Sequence, residues 1–131
     1  MKAYLIARVS TLDQADAIKG QVYKLQDYAQ SKNFDCELIE VKESAYKKNR
    51  KVFAEVIDIL VNDPNECIVI FDKIDRYTRN SNSQEVMQIN DMCRSGKIEL
   101  HFISDHLFIN QHSSASEHFQ LNIGISSAQY I

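Results

Sequence analysis

Five consecutive apolar residues, from Cys67 to Phe71, limit the folds open to this chain more than any other segment. Strands that face solvent on one side alternate apolar and polar residues, whereas strands covered on both faces are apolar throughout. The run follows residues 62–64, Asn-Asp-Pro, a combination that ends a helix. We therefore predict a strand at this point that lies between two layers of other elements.

Strand-like and helical patterns alternate along the rest of the sequence. The strands are predicted at residues 3–7, 36–41, 67–71 and 98–102. Apolar residues at spacings of three and four predict helices at residues 13–32, 52–60, 82–93 and 114–131. The order β-α-β-α-β-α-β-α predicts an α/β fold with a mostly parallel central sheet of about four to five strands flanked by helices.

Residues typical of helix ends support the last two helices. Gly96 follows the third helix, at a position where glycine commonly ends a helix. Asn82 with Glu85 has the spacing of a capping box, in which two side chains satisfy backbone N–H groups at the start of a helix. Ser114 with Glu117 has the same spacing at the start of the last helix. The segment between the second strand and the second helix, 42–49, has no apolar period and is predicted to be a loop.

The composition fits one globular domain. The chain has 131 residues, of which 44% are hydrophobic and 25% are charged, and these values are ordinary for a folded domain. It has no segment that resembles a secretion leader and no apolar stretch of about 20 residues, the length that spans a membrane. We therefore expect a cytoplasmic protein with no membrane partner. The cysteines are predicted to be reduced residues of the core: Cys36, Cys67 and Cys93.

The charges are unevenly distributed. The net charge of −3 argues against nonspecific binding to nucleic acid, which normally requires a basic excess. Two basic clusters nevertheless follow predicted strands. They consist of Lys42, Lys47, Lys48, Arg50 and Lys51, and of Lys73, Arg76 and Arg79. A solvated loop is the simple interpretation of either cluster alone, but two clusters at strand ends that face the same way favour a binding site.

Two polar segments carry groups suited to phosphoryl transfer. Residues 8–11, Arg-Val-Ser-Thr, follow the first apolar run, and residues 75–79, Asp-Arg-Tyr-Thr-Arg, follow the run that ends at Phe71. In a parallel sheet, ligands collect beyond the carboxyl ends of the strands, so the two segments are expected to meet there. A serine attacks phosphorus only when charge on the phosphate oxygens is stabilised, and the forked guanidinium of arginine does this while staying ionised.

The same segments resemble the signatures of a known family, the serine recombinases, which include resolvases, invertases and the large serine integrases. Residues 4–11 resemble the opening signature of the family, and residues 72–80 resemble its second signature. Between them, residues 43–51 lie where the family has an acidic-x-Ser-Gly stretch followed by an arginine. The resemblance covers nearly the whole chain and implies that residues 1–131 are one serine recombinase catalytic domain.

The resemblance implies a role for each matching position. Ser10 resembles the nucleophile, which attacks a DNA phosphate, forms a 5′-phosphoserine link and releases a 3′-hydroxyl. The arginines that resemble its phosphate ligands are Arg8, Arg76 and Arg79. The other matches are Asp75 at the family's aspartate, Arg50 at a further phosphate-contacting arginine, and Ser44 and Gln14 at polar positions around the site. Lys51 stands where the family often has a small residue or proline, and it is a candidate supporting contact to DNA. Rejoining reverses the cleavage step, so the resemblance implies no cofactor and no metal.

The residues themselves leave the proton transfers open. Neither motif contains a histidine, so a Ser-His pair is not indicated, and nearby arginines would favour the alkoxide form of Ser10. Asp75 either orients Arg8 or Arg79 or handles the proton of the leaving group. A metal site is not expected, because the spacing of six residues matches no common ligand pattern for the histidines His106, His112 and His118.

The resemblance also implies partners. The family acts on DNA, and we expect a homodimer that forms a tetramer in the synaptic complex and exchanges subunits between cleavage and rejoining. In the family the last helix packs across the dimer, and small residues such as Gly124 and Ser127 would permit close approach of helices; a helix lying on its own sheet is the alternative. No segment resembles a DNA-binding module, so we expect a fragment of a longer protein that reaches DNA only at full length.

Two alternatives belong to another class of function. One is a non-enzymatic α/β regulatory or assembly module that carries Arg-Val-Ser-Thr by chance. The other is a recombinase-like domain that has lost activity and only assembles. The chain departs from the family pattern at Ala45, which replaces a glycine, and at Tyr77 and Thr78 between the two arginines of the second motif.

Overall fold

The computed structural model describes residues 2–9, 15–42, 51–74, 84–114, 117–118 and 121. The strands are β1 (Lys2–Val9), β2 (Asp35–Lys42), β3 (Cys67–Phe71), β4 (Ile98–Phe102) and β5 (Leu107–Ile109). The helices are α1 (Ala15–Ser31), α2 (Lys51–Asn62) and α3 (Gln84–Arg94). Strand and helix alternate up to β4, as predicted, and β5 follows β4 directly. None of these described helices is long and apolar enough to cross a bilayer.

The strands form one sheet in the order β2-β1-β3-β4-β5. Strand β1 pairs in parallel with both β2 and β3, and β3 pairs in parallel with β4. Strand β5 runs antiparallel to β4, with Leu107 opposite Phe102. The predicted mostly parallel sheet is confirmed. The carboxyl ends of its parallel strands lie together along one end of the sheet, which we call the carboxyl edge. The opposite end, where these strands begin, is the amino edge.

Alternate residues of each strand pack on opposite faces of the sheet. The face covered by α2 and α3, here called the α2–α3 face, buries residues that include Tyr4, Ile6, Val56, Leu60, Val69, Phe71, Ile89, Leu100 and Phe102. The face covered by α1, here called the α1 face, buries Ala3, Leu5, Ala7, Ile18, Leu25, Ala29, Ile68 and Ile70. Strand β3 contributes to both clusters and is buried along its whole length, as its unbroken apolar run predicts.

Helices α1 and α3 end in the same way, with a residue of positive φ after the last turn. Asn33 follows α1 with φ 57°, and the next N–H donates to the carbonyl of Ala29 at 3.0 Å. Gly96 follows α3 with φ 82°, and the next N–H donates to the carbonyl of Met92 at 2.9 Å. These bonds satisfy carbonyls that a helix leaves unpaired at its end. The prediction that Gly96 ends the third helix is confirmed.

The capping box predicted at Ser114 is present. The N–H of Ser114 donates to Glu117 Oε1 at 3.1 Å, and the N–H of Glu117 donates to Ser114 Oγ at 3.2 Å. Residues 117–118 and Leu121 are helical. The rest of the predicted last helix, with Gly124 and Ser127, lies outside the described residues, as does Asn82 of the other predicted capping box.

Three details of the sequence interpretation are wrong. Cys36, predicted to lie in the core, is exposed, because it belongs to the edge strand β2 and α1 packs mainly against β1. Cys67 and Cys93 are buried as predicted, and all three are free thiols. Lys42, assigned to a loop, is the last residue of β2. Strand β5 has no predicted counterpart, because three residues are too short a run to show a pattern.

Candidate functional site

Strands β1 and β3 are neighbours, and each of the two polar motifs follows one of them. Ile6 lies opposite Phe71 in the parallel register, and β1 continues three residues further, to Val9. Ser10 is the next residue in the chain, and Asp75 follows the end of β3 by four residues. The two strands that precede the motifs therefore reach the same edge, as the parallel order predicts.

Two of the predicted site residues belong to described elements. Arg8 is in β1, opposite Val41 of β2, and Lys51 is the first residue of α2. The remaining ones lie outside the described residues: Ser10, Gln14, Ser44, Arg50, Asp75, Arg76 and Arg79. Their roles stay predictions.

A buried carboxylate lies at the carboxyl edge directly after β3. Asp72 is 3% exposed, and its Oδ1 accepts a hydrogen bond from Ser104 Oγ at 2.9 Å. Lys24 Nζ, on α1, lies 3.7 Å from the same oxygen. A buried carboxylate that lacks hydrogen-bond donors is strongly destabilising. Asp72 is therefore held between α1 and the turn that follows β4.

The main chain of that turn also bonds to the main chain leaving β3. The N–H of Ile103 donates to the carbonyl of Phe71 at 3.1 Å, and the N–H of Ser104 donates to the carbonyl of Asp72 at 2.8 Å. This network was not predicted from the sequence. Asp72 and Ser104 are 32 residues apart, and neither belongs to a periodic pattern that would indicate the contact.

A buried histidine that the sequence analysis also missed lies on the α1 face. His101 Nδ1 is 2.9 Å from the hydroxyl of Tyr28, and His101 Nε2 is 3.3 Å from Glu99 Oε2. The ring of Phe108 meets it edge-on, with centroids 4.9 Å apart. Burial lowers the pKa of His101 below its usual value, and the hydrogen bond to Glu99 partly offsets this. The alternation of apolar and polar residues in β4 could have indicated this, because it places His101 on the face opposite Leu100 and Phe102, where α1 packs.

The described residues show no metal site. They contain no group of three or more histidine, cysteine, aspartate or glutamate side chains arranged to hold an ion. Burial raises the pKa of the Cys93 thiol to about 12 and also raises the pKa of Cys67. Buried, protonated thiols are poor ligands and poor nucleophiles, so both cysteines act as packing residues.

The amino edge carries a polar network of a different kind. The ammonium of Lys97 donates to the carbonyls of Asp63 and Asn65, the latter at 2.6 Å. The hydroxyl of Tyr4 donates to Asp63 Oδ2 at 2.6 Å, and this bond lowers the pKa of Asp63. The network ties the end of α2 to β1 and β4 and involves neither motif, so we assign it a structural role.

Comparison with solved structures identifies the class of fold. The N-terminal catalytic domain of TP901-1 integrase matches with a TM-score of 0.69 and 22% identity over 99% of this chain and 95% of that chain. The C-terminal catalytic domain of ISC1926 TnpA, an IS607-like serine recombinase, matches with a TM-score of 0.65 and 20% identity over 95% of this chain and 80% of that chain. A resolvase family site-specific recombinase from Streptococcus pneumoniae matches with a TM-score of 0.61 and 19% identity over 99% of this chain and 87% of that chain. The fold is that of serine recombinase catalytic domains.

The family follows from the sequence. A family model described as Resolvase, N terminal domain, matches residues 3–130. The match spans nearly the whole chain, so this protein belongs to the resolvase N-terminal domain family, as its two motifs predict. No curated protein matches the chain. Family membership sets aside an unrelated α/β module with a chance motif and leaves an inactive, assembling domain as the rival.

Proposed function

We propose that residues 1–131 are the catalytic domain of a serine site-specific recombinase that cleaves and rejoins DNA through Ser10. The observation that carries the proposal is the parallel pairing of β1 with β3 in a chain of this family. That pairing brings the carboxyl ends of β1 and β3 to the same edge of the sheet, which supports a site formed by the segments that follow them in the chain, one with Ser10 and the other with Asp75, Arg76 and Arg79.

The proposed reaction is an exchange of one phosphodiester for another. Ser10 Oγ gives up its proton and attacks the phosphorus, the bond from phosphorus to the 3′-oxygen breaks, and the 3′-oxygen takes up one proton and leaves as a hydroxyl. The product is a 5′-phosphoserine ester, which a 3′-hydroxyl from a second cleaved end then attacks in reverse. Each step breaks and forms one phosphate ester bond, so no ATP is required.

The arginines would stabilise the charge that develops on the phosphate. Arg8, Arg76 and Arg79 each offer a planar pair of N–H donors that fits two phosphate oxygens. Such preorganised donors commonly supply the largest single contribution to catalysis of charge-building reactions. Arg50 adds a further donor, with supporting roles for Gln14, Ser44 and Lys51. Asp75 either orients an arginine or handles the proton of the leaving group.

The full-length protein would supply what this domain lacks. The net charge of −3 offers no general attraction to DNA, so we propose that a separate DNA-binding region selects the site. A homodimer would hold one pair of strands, and a tetramer would join two sites and exchange partners. The reaction would take place in the cytoplasm, where the DNA is.

The test is the capture of a covalent adduct. The full-length protein is incubated with sheared DNA from its source organism, and complexes that resist SDS are collected and their DNA is sequenced. We expect Ser10→Ala to reduce adduct formation by more than about 10³-fold, as loss of a nucleophile does in other enzymes.

The matched control is Ser95→Ala, since Ser95 is an exposed serine whose hydroxyl donates to the carbonyl of Met92 at 3.0 Å. This variant should form the adduct at the wild-type rate. Equal adduct yields from wild type and Ser10→Ala would reject Ser10 as the nucleophile, and an absence of adduct from the folded, DNA-bound wild type would favour the inactive assembling domain.

A further inference from the structure

The four residues after β4 form a turn, 103–106, that is closed on itself and bonded to the end of β3. The N–H of His106 donates to the carbonyl of Ile103 at 3.2 Å, and His106 has a φ of 51°. The turn pairs its main chain with Phe71 and Asp72 through the two hydrogen bonds described above. We call residues 103–106 the edge turn and residues 71–74 the exit segment.

Side chains strengthen this pairing in both directions. Ser104, in the edge turn, donates to the buried carboxylate of Asp72 at 2.9 Å. Asp105, also in the edge turn, accepts a hydrogen bond from the N–H of Ile74 at 2.8 Å. Asp72 is 3% exposed and Ile74 is 6% exposed, whereas Ser104 and Asp105 are exposed, so both bonds are shielded from water on the side of the exit segment. The exit segment is thus fixed at two successive points by side chains of one turn.

The exit segment is also held by both layers of the fold. The side chain of Ile74 belongs to the core of the α2–α3 face. Asp72 lies near Lys24 of α1, at 3.7 Å from Oδ1 to Nζ. Lys24 is half exposed, so this ion pair contributes little energy by itself. The edge turn therefore fixes the direction in which the chain leaves β3, between the two faces.

We propose that Ser104 and Asp105 are positioning residues for catalysis, which hold the exit segment so that Asp75, Arg76 and Arg79 meet the phosphate. The proposal rests on the proposed function, because it takes Asp75, the residue directly after Ile74 in the chain, to act at the phosphate. Phosphoryl transfer depends on donors placed to within a fraction of an ångström, and a misplacement of about 1 Å can slow a reaction by about 10²-fold.

A purely structural turn would behave differently from a positioning turn. Loss of a bond in a structural turn lowers the melting temperature and leaves the rate of the folded enzyme unchanged. Loss of a bond in a positioning turn lowers the rate of the chemical step in enzyme that is fully folded and fully bound to DNA. The experiment must therefore measure the rate at saturating DNA and below the melting temperature of every variant.

The experiment compares Ser104→Ala with Ser113→Ala in the full-length protein. Ser113 lies beyond β5, toward the amino edge, and its Oγ accepts a hydrogen bond from the N–H of Asn110 at 2.8 Å. Both serines belong to the β4–β5 region and each variant loses one hydroxyl: that of Ser104 donates to the carboxylate of Asp72 after β3, whereas that of Ser113 accepts from a main-chain N–H beyond β5. The readout is the single-turnover rate of covalent adduct formation on the DNA fragment captured with the wild type, with DNA affinity and melting temperature measured alongside.

We expect Ser104→Ala to slow adduct formation by about 10- to 100-fold at saturating DNA, with little change in DNA affinity. Ser104→Thr, which keeps the hydroxyl, should stay within about 3-fold of the wild-type rate. Ser113→Ala should match the wild-type rate although it too loses a hydrogen bond, with a smaller loss of melting temperature than Ser104→Ala, because Ser104 bonds to a buried carboxylate. Equal rates for Ser104→Ala and Ser113→Ala would overturn the proposal.

A second pair keeps the test open if Ser104→Ala does not fold. Asp105→Ala removes the acceptor for the N–H of Ile74, whereas Asp105→Asn retains an acceptor oxygen. The alanine variant should be slow and the asparagine variant close to wild type; equal rates for the two would overturn the assignment of Asp105. Failure of the proposed function is recognised separately, because wild type and Ser10→Ala would then give the same adduct yield.

Discussion

The two faces of the sheet are built from different kinds of residue. The α2–α3 face is filled by large apolar side chains, with the rings of Phe71 and Phe102 stacked 5.7 Å apart. The α1 face places the small residues Ala3 and Ala7 under the helix and also buries the polar His101. Apolar burial is favourable wherever it occurs, whereas a buried polar group is tolerated only where its partners are placed. The α2–α3 face therefore contributes mainly to stability. The buried polar group of the α1 face instead requires neighbouring side chains to lie at defined positions.

At the carboxyl edge, polar packing on the α1 face and apolar packing on the α2–α3 face occur within the three residues 72–74. Asp72 lies on the α1 side, near Lys24, and Ile74 returns to the apolar core of the other side. The segment that leads into the second motif is thus fixed by one polar and one apolar contact. Substitutions on the two faces should separate these contributions.

The largest effect is expected from truncation of a ring on the α2–α3 face. Phe102 is fully buried against Phe71, and Phe102→Ala should lower the free energy of unfolding by about 3–5 kcal/mol, because it leaves a cavity and removes apolar burial. Urea denaturation with equal m-values would measure this loss.

The matched control is Phe108→Ala on the neighbouring strand β5, whose ring is on the other face and 44% exposed. We expect a loss of about 1 kcal/mol there. Equal losses for the two variants would contradict the claim that the α2–α3 face carries most of the stability.

Two glycines are expected to respond to alanine with opposite signs. Gly96 has φ 82°, and an added Cβ would lie 2.9 Å from Gln111 Oε1, so Gly96→Ala should destabilise the protein by about 1 kcal/mol or more. Gly20 lies within α1, and an added Cβ would meet nothing within 4 Å. Gly20→Ala should therefore stabilise by about 0.5–1 kcal/mol. Thermal unfolding of both variants, run side by side, checks the signs; a stabilising Gly96→Ala would show that the turn relaxes.

The smallest effect is a dependence of stability on pH that arises from the α1 face. Burial lowers the pKa of His101 in the folded protein, whereas the unfolded chain has the ordinary value near 6.5. Below that pH the unfolded chain binds the proton more readily, so stability should fall as the pH is lowered from 7.5 to 5.5. The groups that face His101 are Tyr28, Phe34, Glu99 and Phe108, with Lys32 nearby.

The control for this effect is His101→Gln, which keeps a polar side chain and cannot titrate. The difference in free energy of unfolding between pH 7.5 and 5.5 should be smaller in the variant than in wild type. An unchanged pH difference would mean that other groups dominate and that His101 is not the source.

The sequence was a good guide to the elements because their signals are local. The run from Cys67 to Phe71 predicted a doubly covered strand, and Gly96 predicted the end of α3; both are confirmed. The prediction that Cys36 lies in the core failed because the apolar character of a residue does not reveal that its strand is the outermost strand of the sheet. Strand β5 was not predicted because its pairing with β4 is a tertiary contact that a run of three residues does not indicate.

For the candidate site, the sequence predicted the edge and the motifs but not their support. The motifs are contiguous residues with a recognisable chemistry, so roles for Ser10 and Asp75 could be predicted without a structure, and they stay predictions. The bond from Ser104 to Asp72 links residues 32 positions apart and has no signature in spacing or composition. Contacts that hold a site in place are in general long-range, and they become visible only in the folded chain.

The position of β1 between β2 and β3 has a consequence for the folding of the protein during its synthesis on the ribosome. β1 is synthesised before both of its partners: β2 is complete at Lys42, whereas β3 is complete only at Phe71. Parallel pairing across such separations has a high entropic cost before it is rewarded, so the middle of the sheet should close late. Until then the flank of β1 that pairs with β3 stays open to other chains. Wrong pairing of β1 should therefore be most frequent before synthesis has passed Phe71.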